Sequence, residues 1–319
     1  MKFTARSLWH VPLLLFAVTM VMPLALMFTT SLGTVRMALL GPGDSLWHVF
    51  WPRVWHWHNY ADVWNGNVGL DAKVPAQVDF IRYYANSVVV AVCVTIGNVF
   101  TSACAAYAFA RLRWPGRDRI FLLYLATMMV PAPVTLIPQF ALMKHLSDSL
   151  QVIAPFINWS GLRYFGTSAT APLLGRLVGL DSYFALIVPS LCTAYGTFLL
   201  RQFLLTIPRE LDEAARIDGA THWQTFSRII LPLARPGLAT LAIFTFMGAW
   251  SAVLWPVVVT NLESLYTLPL GMQEFQAQGG TQWNLMMGAS LLMLLPVIVV
   301  FLVGQRSFIR GLTLGAVKG

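Results

Sequence analysis

Charged residues are scarce in this chain. Of its 319 residues only 11% are Asp, Glu, Lys or Arg, whereas 57% are hydrophobic and the mean hydropathy is +0.66. In soluble domains about a quarter of the residues are charged, so this composition excludes an ordinary soluble protein. The bilayer is the solvent that fits such a chain, and an integral membrane protein is predicted.

Cysteine is also rare, and a phosphate-binding glycine loop is missing. The three cysteines, Cys93, Cys104 and Cys192, lie inside apolar runs without the paired spacing of a zinc site or a disulfide framework. No G-x-x-x-x-G-K-[ST] sequence occurs in the chain, so any ATP must be bound elsewhere. We therefore expect no catalytic residue, no metal site and no cofactor.

Six uncharged runs are long enough to cross about 30 Å of hydrocarbon. They predict an all-α membrane protein with six transmembrane helices, at about residues 11–32, 84–110, 120–143, 182–203, 237–260 and 285–305. The first run is too long for the core of a signal peptide and is interpreted as a retained span. Kinks or partial unwinding are predicted at the prolines of the last four spans, which are Pro131, Pro133, Pro138, Pro189, Pro256 and Pro296.

The basic residues are distributed unevenly between the two sides of the predicted membrane. If both termini are cytoplasmic, 14 of the 21 Lys and Arg residues lie in cytoplasmic segments. This bias predicts the orientation and accounts for the net charge of +8 without a nucleic-acid partner. The extended outer segment 145–180 is broken by Pro155 and Pro172, so an interfacial or re-entrant excursion is expected there.

A Trp-rich and His-rich stretch in the first outer segment holds the candidates for an enzyme or metal cluster. His56 and His58 lie near His48 and Asp62. We interpret these histidines as polar tips at the membrane interface rather than as ligands.

The loop at residues 206–236 has the pattern of two helices separated by a sharp turn. Glu210 and Asp212 place negative charge in the first turn of the first helix, and Asp212 is spaced to pair with Arg216. Gly219 is predicted to end that helix in a left-handed conformation. This loop follows the fourth span and is expected on the cytoplasmic side.

The second helix of the loop is predicted to begin at the cap Thr221 and to end by Pro232. In the first helix Ala214 and Ala215 carry little side-chain bulk, so another protein surface could approach the backbone there, beside the charge of Glu213. An amphipathic helix resting on the inner leaflet is the competing interpretation of the same residues.

The loop resembles the cytoplasmic signature of binding-protein-dependent ABC importers. That signature is Glu-Ala-Ala, three residues, Gly, nine residues, Ile, one residue and Leu-Pro, and the spacings agree throughout. The resemblance implies a coupling helix that docks in a cleft of an ATPase subunit. The residues to which it assigns this role are Glu213, Ala214, Ala215, Arg216, Asp218, Gly219, Ile229, Leu231 and Pro232.

Further segments resemble the carbohydrate-uptake branch, in particular the second permease subunit of maltose-type systems. Examples are "AYAFARLRWPGR", "TLPLGMQEF" and the terminal "QRSFIRGLTLGAVKG". Two features depart from the branch, since segment 145–180 is longer than usual and the Asn that often follows the Trp at position 250 is missing. The resemblance implies the type I importer permease fold in a bacterial inner membrane. Its implied partners are a second homologous permease, two ATPase subunits and an extracytoplasmic solute-binding protein.

The implied solute is a sugar or sugar-like molecule, of the oligosaccharide, monosaccharide or glycerol phosphate class. An ABC importer of a non-sugar solute and a secondary transporter are the alternatives. A secondary transporter usually carries a charged residue within a span, and the uncharged runs contain none; these are 7–35, 83–110, 120–143, 182–200, 236–262 and 275–305. Polar residues inside the spans could hydrogen-bond a solute or could equally join helices; the candidates are Asn86, Asn98, Gln139, Tyr195, Trp250 and Ser251.

Overall fold

The computed structural model describes residues 10–34, 54–67, 78–153, 179–278 and 282–316. These residues form helices and short connections, with no β-strand among them. In hydrocarbon every backbone polar group must be satisfied within the protein, and a helix does this inside one segment. The helices are α1 (His10–Ser31), α2 (His58–Trp64), α3 (Phe80–Arg111), α4 (Arg117–Ala126), α5 (Ala132–Ile153), α6 (Tyr183–Ile187), α7 (Ala194–Leu205), α8 (Glu210–Ile217), α9 (His222–Leu233), α10 (Arg235–Trp250), α11 (Leu254–Val259), α12 (Leu268–Gln278) and α13 (Trp283–Ala316).

Three continuous helices are long and apolar enough to cross a bilayer, over Pro12–Ser31, Phe80–Arg111 and Trp283–Gln305. Three further pairs of helices reach this length only together, because each pair is bent at a short break. Counting each bent pair as one span gives up to six spans in the described part of the chain. The bends measure 100° between Arg117–Met129 and Ala132–Ser149, 42° between Tyr183–Ser190 and Ala194–Leu205, and 77° between His222–Leu233 and Arg235–Trp250.

Proline explains the sharpest of these bends. Val130 has extended backbone angles, φ −79° and ψ 119°, and is followed by Pro131. A residue before proline avoids the α region, because the proline ring clashes with its backbone. The predicted interruption of this span is therefore confirmed, whereas α13 stays helical through Pro296 and is not unwound there.

The break between α6 and α7 is held by polar side chains of α3. Asn98 is fully buried, and its Nδ2 donates to the Ser190 carbonyl at 3.0 Å and to Thr193 Oγ1 at 3.1 Å. The Thr101 hydroxyl donates to the carbonyl of Leu191. These bonds satisfy backbone oxygens that the interrupted helix leaves free.

The outer segment predicted at 145–180 begins as a continuation of α5, which remains helical to Ile153. Residues 154–178 of that segment lie outside the described residues, and so does the predicted excursion of the chain there.

The chain divides into two compact units. The first contains the described residues up to Tyr84 together with Leu270–Pro296. In it, the buried Asn59 of α2 donates from Nδ2 to the carbonyls of Ser31 and Gly33, at 2.8 and 3.0 Å, and so caps the end of α1.

The second unit contains Ala85–Pro269 and the described residues from Val297 onward. Its main apolar core brings together α3, α7, α9 and α10. Leu200, Ile230 and Leu241 are almost fully buried in this core, beside small residues of α3 such as Ala106. Small residues on α3 allow the other helices to approach its backbone closely.

Replacing Asn98 by Leu tests how much the buried amide stabilises the break in the fourth span. The Ser190 carbonyl and the Thr193 hydroxyl would lose a donor, which should lower the free energy of unfolding by about 1–3 kcal/mol. Thermal unfolding in detergent measures this change. Thr95→Val is the matched control, since the Thr95 hydroxyl bonds only to the Ala91 carbonyl of its own helix. Equal melting temperatures of the two variants would contradict the assigned role.

Candidate functional site

The first helix of the 206–236 loop is α8, and local stereochemistry sets both of its ends. Its first turn holds Glu210 and Asp212, which favour the positive end of the helix. Gly219 follows its last turn with φ +78°, and the Gly219 N–H donates to the Arg216 carbonyl at 3.0 Å. The predicted left-handed turn at Gly219 is confirmed, and a side chain placed there would meet open space.

The second helix of the loop, α9, starts at the predicted cap. Thr221 Oγ1 accepts from the Gln224 N–H at 3.3 Å, while Gln224 Oε1 accepts from the Thr221 N–H at 2.8 Å. Residues Thr225–Ile230 form a wider π-helical turn. The predicted end at Pro232 is wrong, because helical backbone continues to Leu233. After a π turn the hydrogen-bond ladder is already shifted, so a missing proline N–H is tolerated.

The two faces of α8 have different environments. Ala215 is 5% exposed and Asp212 lies beside it on the inner face, whereas Glu213 and Arg216 are exposed on the other side. Ile217 is 87% exposed at the end of the helix. The expectation that both alanines face a partner is therefore wrong for Ala215, which lets α8 lie close to its own chain.

Arg111, the last residue of α3, holds the inner face of α8. Its Nη1 lies 2.8 Å from Oδ2 of Asp212, and its Nη2 donates to the carbonyls of Leu204 and Ile207 at 2.6 and 2.8 Å. Both side chains of the ion pair are largely buried. The predicted pairing of Asp212 with Arg216 is wrong, since this long-range guanidinium takes the carboxylate.

The base of the loop packs on the core of the second unit. Phe226 and Ile230 of α9 are buried, and the Phe226 ring lies 5.0 Å from that of Tyr107 in α3. Ile229 and Leu231, which the signature places in the coupling set, are partly buried against the same core. Their side chains anchor the loop, while Glu213, Ala214, Arg216, Asp218, Gly219 and Pro232 are exposed.

Comparison with known proteins identifies the family. A family model described as the binding-protein-dependent transport system inner membrane component matches residues 97–310. This chain belongs to that permease family. The permease is therefore a multi-pass, non-catalytic inner-membrane component of a binding-protein-dependent ABC importer.

Relatives of the permease cover nearly its whole length. It is 34% identical over 311 residues to the sn-glycerol-3-phosphate transport system permease protein UgpE of Yersinia enterocolitica, with 95% of this chain and 94% of the relative covered. The UgpE protein of Yersinia pestis is 36% identical over 258 residues, with coverage of 80% and 79%. A crystal structure of a bacterial ABC transporter that imports the acidic polysaccharide alginate matches at a TM-score of 0.70, 21% identity and coverage of 97% and 100%. The predicted all-α importer permease fold is confirmed.

Three functional candidates in or beside the permease loop escape sequence reasoning. Arg111 at the end of α3 appears in the sequence only as one of many basic residues, and its partners lie some hundred residues away in the chain. Ile217 and Trp223 are large apolar side chains that are 87% and 60% exposed. In the sequence these two residues are recognisable only as apolar residues at the charged end of a helix. Their exposure is revealed only by the fold.

Three of the candidate solute-path residues are buried in the permease. Asn86 donates to the carbonyls of Ser264 and Tyr266 at 3.0 and 2.9 Å, and its Oδ1 accepts from the Tyr183 hydroxyl at 2.5 Å. Asn98 holds the break in the fourth span, and Trp250 is 2% exposed with its ring stacked on Phe246. Their polar groups are engaged within the chain.

The other three candidates are exposed. Gln139 lies on α5, and Ser251 follows α10 with its hydroxyl on the Met247 carbonyl. The Tyr195 ring is 43% exposed and meets Phe244 edge-on, with 6.3 Å between ring centroids.

The histidine pair of the first outer segment packs ring against ring. The imidazoles of His56 and His58 are 5.1 Å apart between centroids and nearly perpendicular. No group of three metal-ligating side chains occurs in the part of the chain that the structure describes, and His48 lies outside it.

Replacing Arg111 by Leu should destabilise the loop strongly, because Asp212 would remain as a buried, unpaired charge. The expected loss is about 3–5 kcal/mol of unfolding free energy, and the double variant Arg111→Leu/Asp212→Leu should recover part of it. Thermal unfolding and tryptic cleavage within the loop measure the effect.

Arg82→Leu is the control for this experiment. The Arg82–Asp79 pair is exposed, with side chains 54% and 49% accessible, and such pairs contribute about 0–1 kcal/mol. An Arg111→Leu variant no less stable than Arg82→Leu, with an uncut loop, would refute the anchoring role.

Proposed function

We propose that this chain forms one half of the translocation pathway of an ATP-driven importer for a sugar or sugar-like solute. It pairs with a second homologous permease, two ATPase subunits and an extracytoplasmic solute-binding protein. The excess of basic residues in alternate segments supports cytoplasmic termini and a cytoplasmic 206–236 loop. One observation carries the proposal. One face of α8 packs against its own chain, and the opposite face is exposed.

The exposed face of α8 has the composition of a docking surface. Glu213 and Arg216 offer charged contacts around Ile217, whose side chain touches little of its own chain. A large aliphatic group exposed to water gains free energy when a partner covers it, and buried anchors of this kind dominate many interfaces. An ATPase cleft is the fitting occupant, because the permease has no phosphate-binding loop of its own.

The solute class follows from the relatives together with the exposed polar groups. The most similar relatives named above are permeases of sn-glycerol-3-phosphate systems, which supports a small polyhydroxylated solute of the glycerol phosphate or sugar class. Gln139 and Ser251 offer hydrogen bonds to hydroxyl groups, and Tyr195 offers both a ring face and a hydroxyl. The three buried candidates for the solute path act instead as supports for the spans; these are Asn86, Asn98 and Trp250.

Removing the exposed anchor tests the docking surface directly. Ile217→Ala should leave the melting temperature unchanged, because the side chain is bare, but should weaken association with the ATPase by roughly 30-fold, as for an interface anchor of about 2 kcal/mol. The measurements are the amount of ATPase that co-purifies and the solute-stimulated ATP hydrolysis in reconstituted membranes. Glu213→Ala should act in the same direction.

Leu205→Ala is the control for Ile217→Ala, since Leu205 is also exposed and apolar but lies on α7 outside the loop. Normal ATPase recovery and stimulated hydrolysis in the Ile217 and Glu213 variants would show that α8 is only a surface helix.

Gly219→Val and Gly219→Asn separate backbone strain from steric bulk. Open space surrounds the position, so neither side chain clashes, but a β-branched residue at φ +78° costs about 1–3 kcal/mol whereas Asn tolerates this region. Transport coupling should fall in the Val variant and be largely kept in the Asn variant. Equal activity of both in reconstituted membranes would show that the turn geometry is not required.

Tyr195→Ala tests the solute path. Loss of the exposed ring should raise the KM for transport of the solute that the binding protein delivers, with assembly and basal ATP hydrolysis preserved. Tyr195→Phe should retain stacking and lose only the hydroxyl contribution. An unchanged KM in both variants would exclude Tyr195 from the path.

A further inference from the structure

A basic cavity lies beside the coupling loop, between the α3–α4 connection and the residue before α8. Its volume is about 670 Å³, and it is a wide-open depression of the surface. Arg113, Arg119 and Arg209 line it together with Trp114 and Gly116. All three of these arginines are exposed.

The charge inside the cavity is strongly positive. Its single carboxylate, Asp118, is held by Arg117 at 3.0 Å and approached by Arg201 at 3.7 Å. That pairing leaves Arg113, Arg119 and Arg209, none of which forms an ion pair with a carboxylate of the described chain. Several guanidinium groups around one space bind phosphate oxygens through paired N–H donors.

The start of α4 adds to the positive field. Gly116 precedes the helix with φ +80°, and no side chain caps the first N–H groups. A Cβ at this glycine would meet no atom within 4 Å, so open space adjoins the start of the helix, whose first turn also carries Asp118.

Exposed apolar side chains lie on α4 near the residues that line the cavity. One turn beyond Arg119, the side chains of Leu122 and Leu123 are 67% and 70% exposed. Trp114, at the rim, packs its ring 5.8 Å from Phe109 and is the residue type that favours the headgroup level of a membrane. An anion in the cavity would therefore sit at the bilayer interface, with apolar protein surface next to it on the membrane side.

The geometry points to a binding site for the phosphate of an anionic phospholipid from the cytoplasmic leaflet, with the acyl chains along Leu122 and Leu123. This assignment rests on the orientation proposed above. A soluble phosphate would use the arginines but not the apolar surface, and an acidic face of the ATPase would use neither that surface nor Trp114. Basic pockets at the cytoplasmic ends of transmembrane helices are suited to such headgroups.

The site has a consequence for coupling, because Arg209 immediately precedes α8. A lipid phosphate held by Arg209 and by the α3–α4 connection fixes the entry of the coupling helix at the membrane surface. Anionic lipid should therefore increase solute-stimulated ATP hydrolysis at constant ATPase content.

The test compares lipid retention by the full-length permease, purified with its associated subunits. Native mass spectrometry follows the binding of phosphatidylglycerol and of phosphatidylcholine to the wild type and to Arg113→Gln/Arg119→Gln. The double variant should lose affinity for phosphatidylglycerol by roughly 25-fold, about fivefold for each charge, and phosphatidylcholine binding should change little. Arg113→Lys/Arg119→Lys keeps the charge and should retain most of the preference for phosphatidylglycerol over phosphatidylcholine.

Arg235→Gln is the matched control, because Arg235 is an exposed arginine at the start of α10 outside the cavity. An equal loss of phosphatidylglycerol affinity in this variant would show that the effect comes from general surface charge, and it would contradict the proposed site. Displacement of the lipid by equimolar inorganic phosphate would identify a soluble ligand instead. Release of the ATPase from the double variant with unchanged lipid retention would assign the arginines to the ATPase interface. Lipid retention is measured without transport, so failure of the lipid site is distinguishable from failure of the proposed import function.

Discussion

The arrangement of the coupling loop depends on one buried guanidinium group. Arg111 bonds to the carbonyls of Leu204 and Ile207, at and just beyond the end of α7, and to one carboxylate oxygen of Asp212 in α8, so three elements meet at a single side chain. Lysine could not replace it, because only the planar fork of arginine presents enough donors in fixed directions. A buried ion pair contributes little net stability, yet either partner alone would be strongly unfavourable. The pair therefore specifies where α8 lies more than it stabilises the fold.

This anchoring gives the two faces of α8 separate tasks. Asp212 and Ala215 pack against the chain itself, whereas Glu213, Ala214 and Arg216 are exposed. A partner that displaces α8 must also move the ends of α3 and α7 or break the ion pair. The next helix of the loop, α9, packs with α3, α7 and α10 in the core of the second unit.

Sequence reasoning succeeded where the cause of a feature is local. The extended residue before Pro131, the left-handed Gly219 and the reciprocal cap at Thr221 each follow from the stereochemistry of a few neighbouring residues. It failed for Asp212, because the expected i,i+4 partner Arg216 competes with the guanidinium of Arg111, which the fold brings in from α3. Ala215 shows the same limit. A small side chain predicts that another surface comes close, but not whether that surface belongs to a partner or to the chain itself. Segment length predicted the spans, but the break between α6 and α7 depends on tertiary hydrogen bonds from α3.

The interrupted spans also explain why buried amides make poor candidates for solute contacts. A broken helix in hydrocarbon exposes carbonyls that must be satisfied by the protein, and Asn98 donates to such a carbonyl, while Asn86 donates to two carbonyls of the connection between α11 and α12. A solute that competed for these amides would have to leave several backbone oxygens unpaired, at about 1–3 kcal/mol for each. Polar side chains that remain exposed, such as Gln139 and Tyr195, carry no such cost. Burial therefore separates the polar residues whose amides are committed to the backbone from those whose side chains remain exposed.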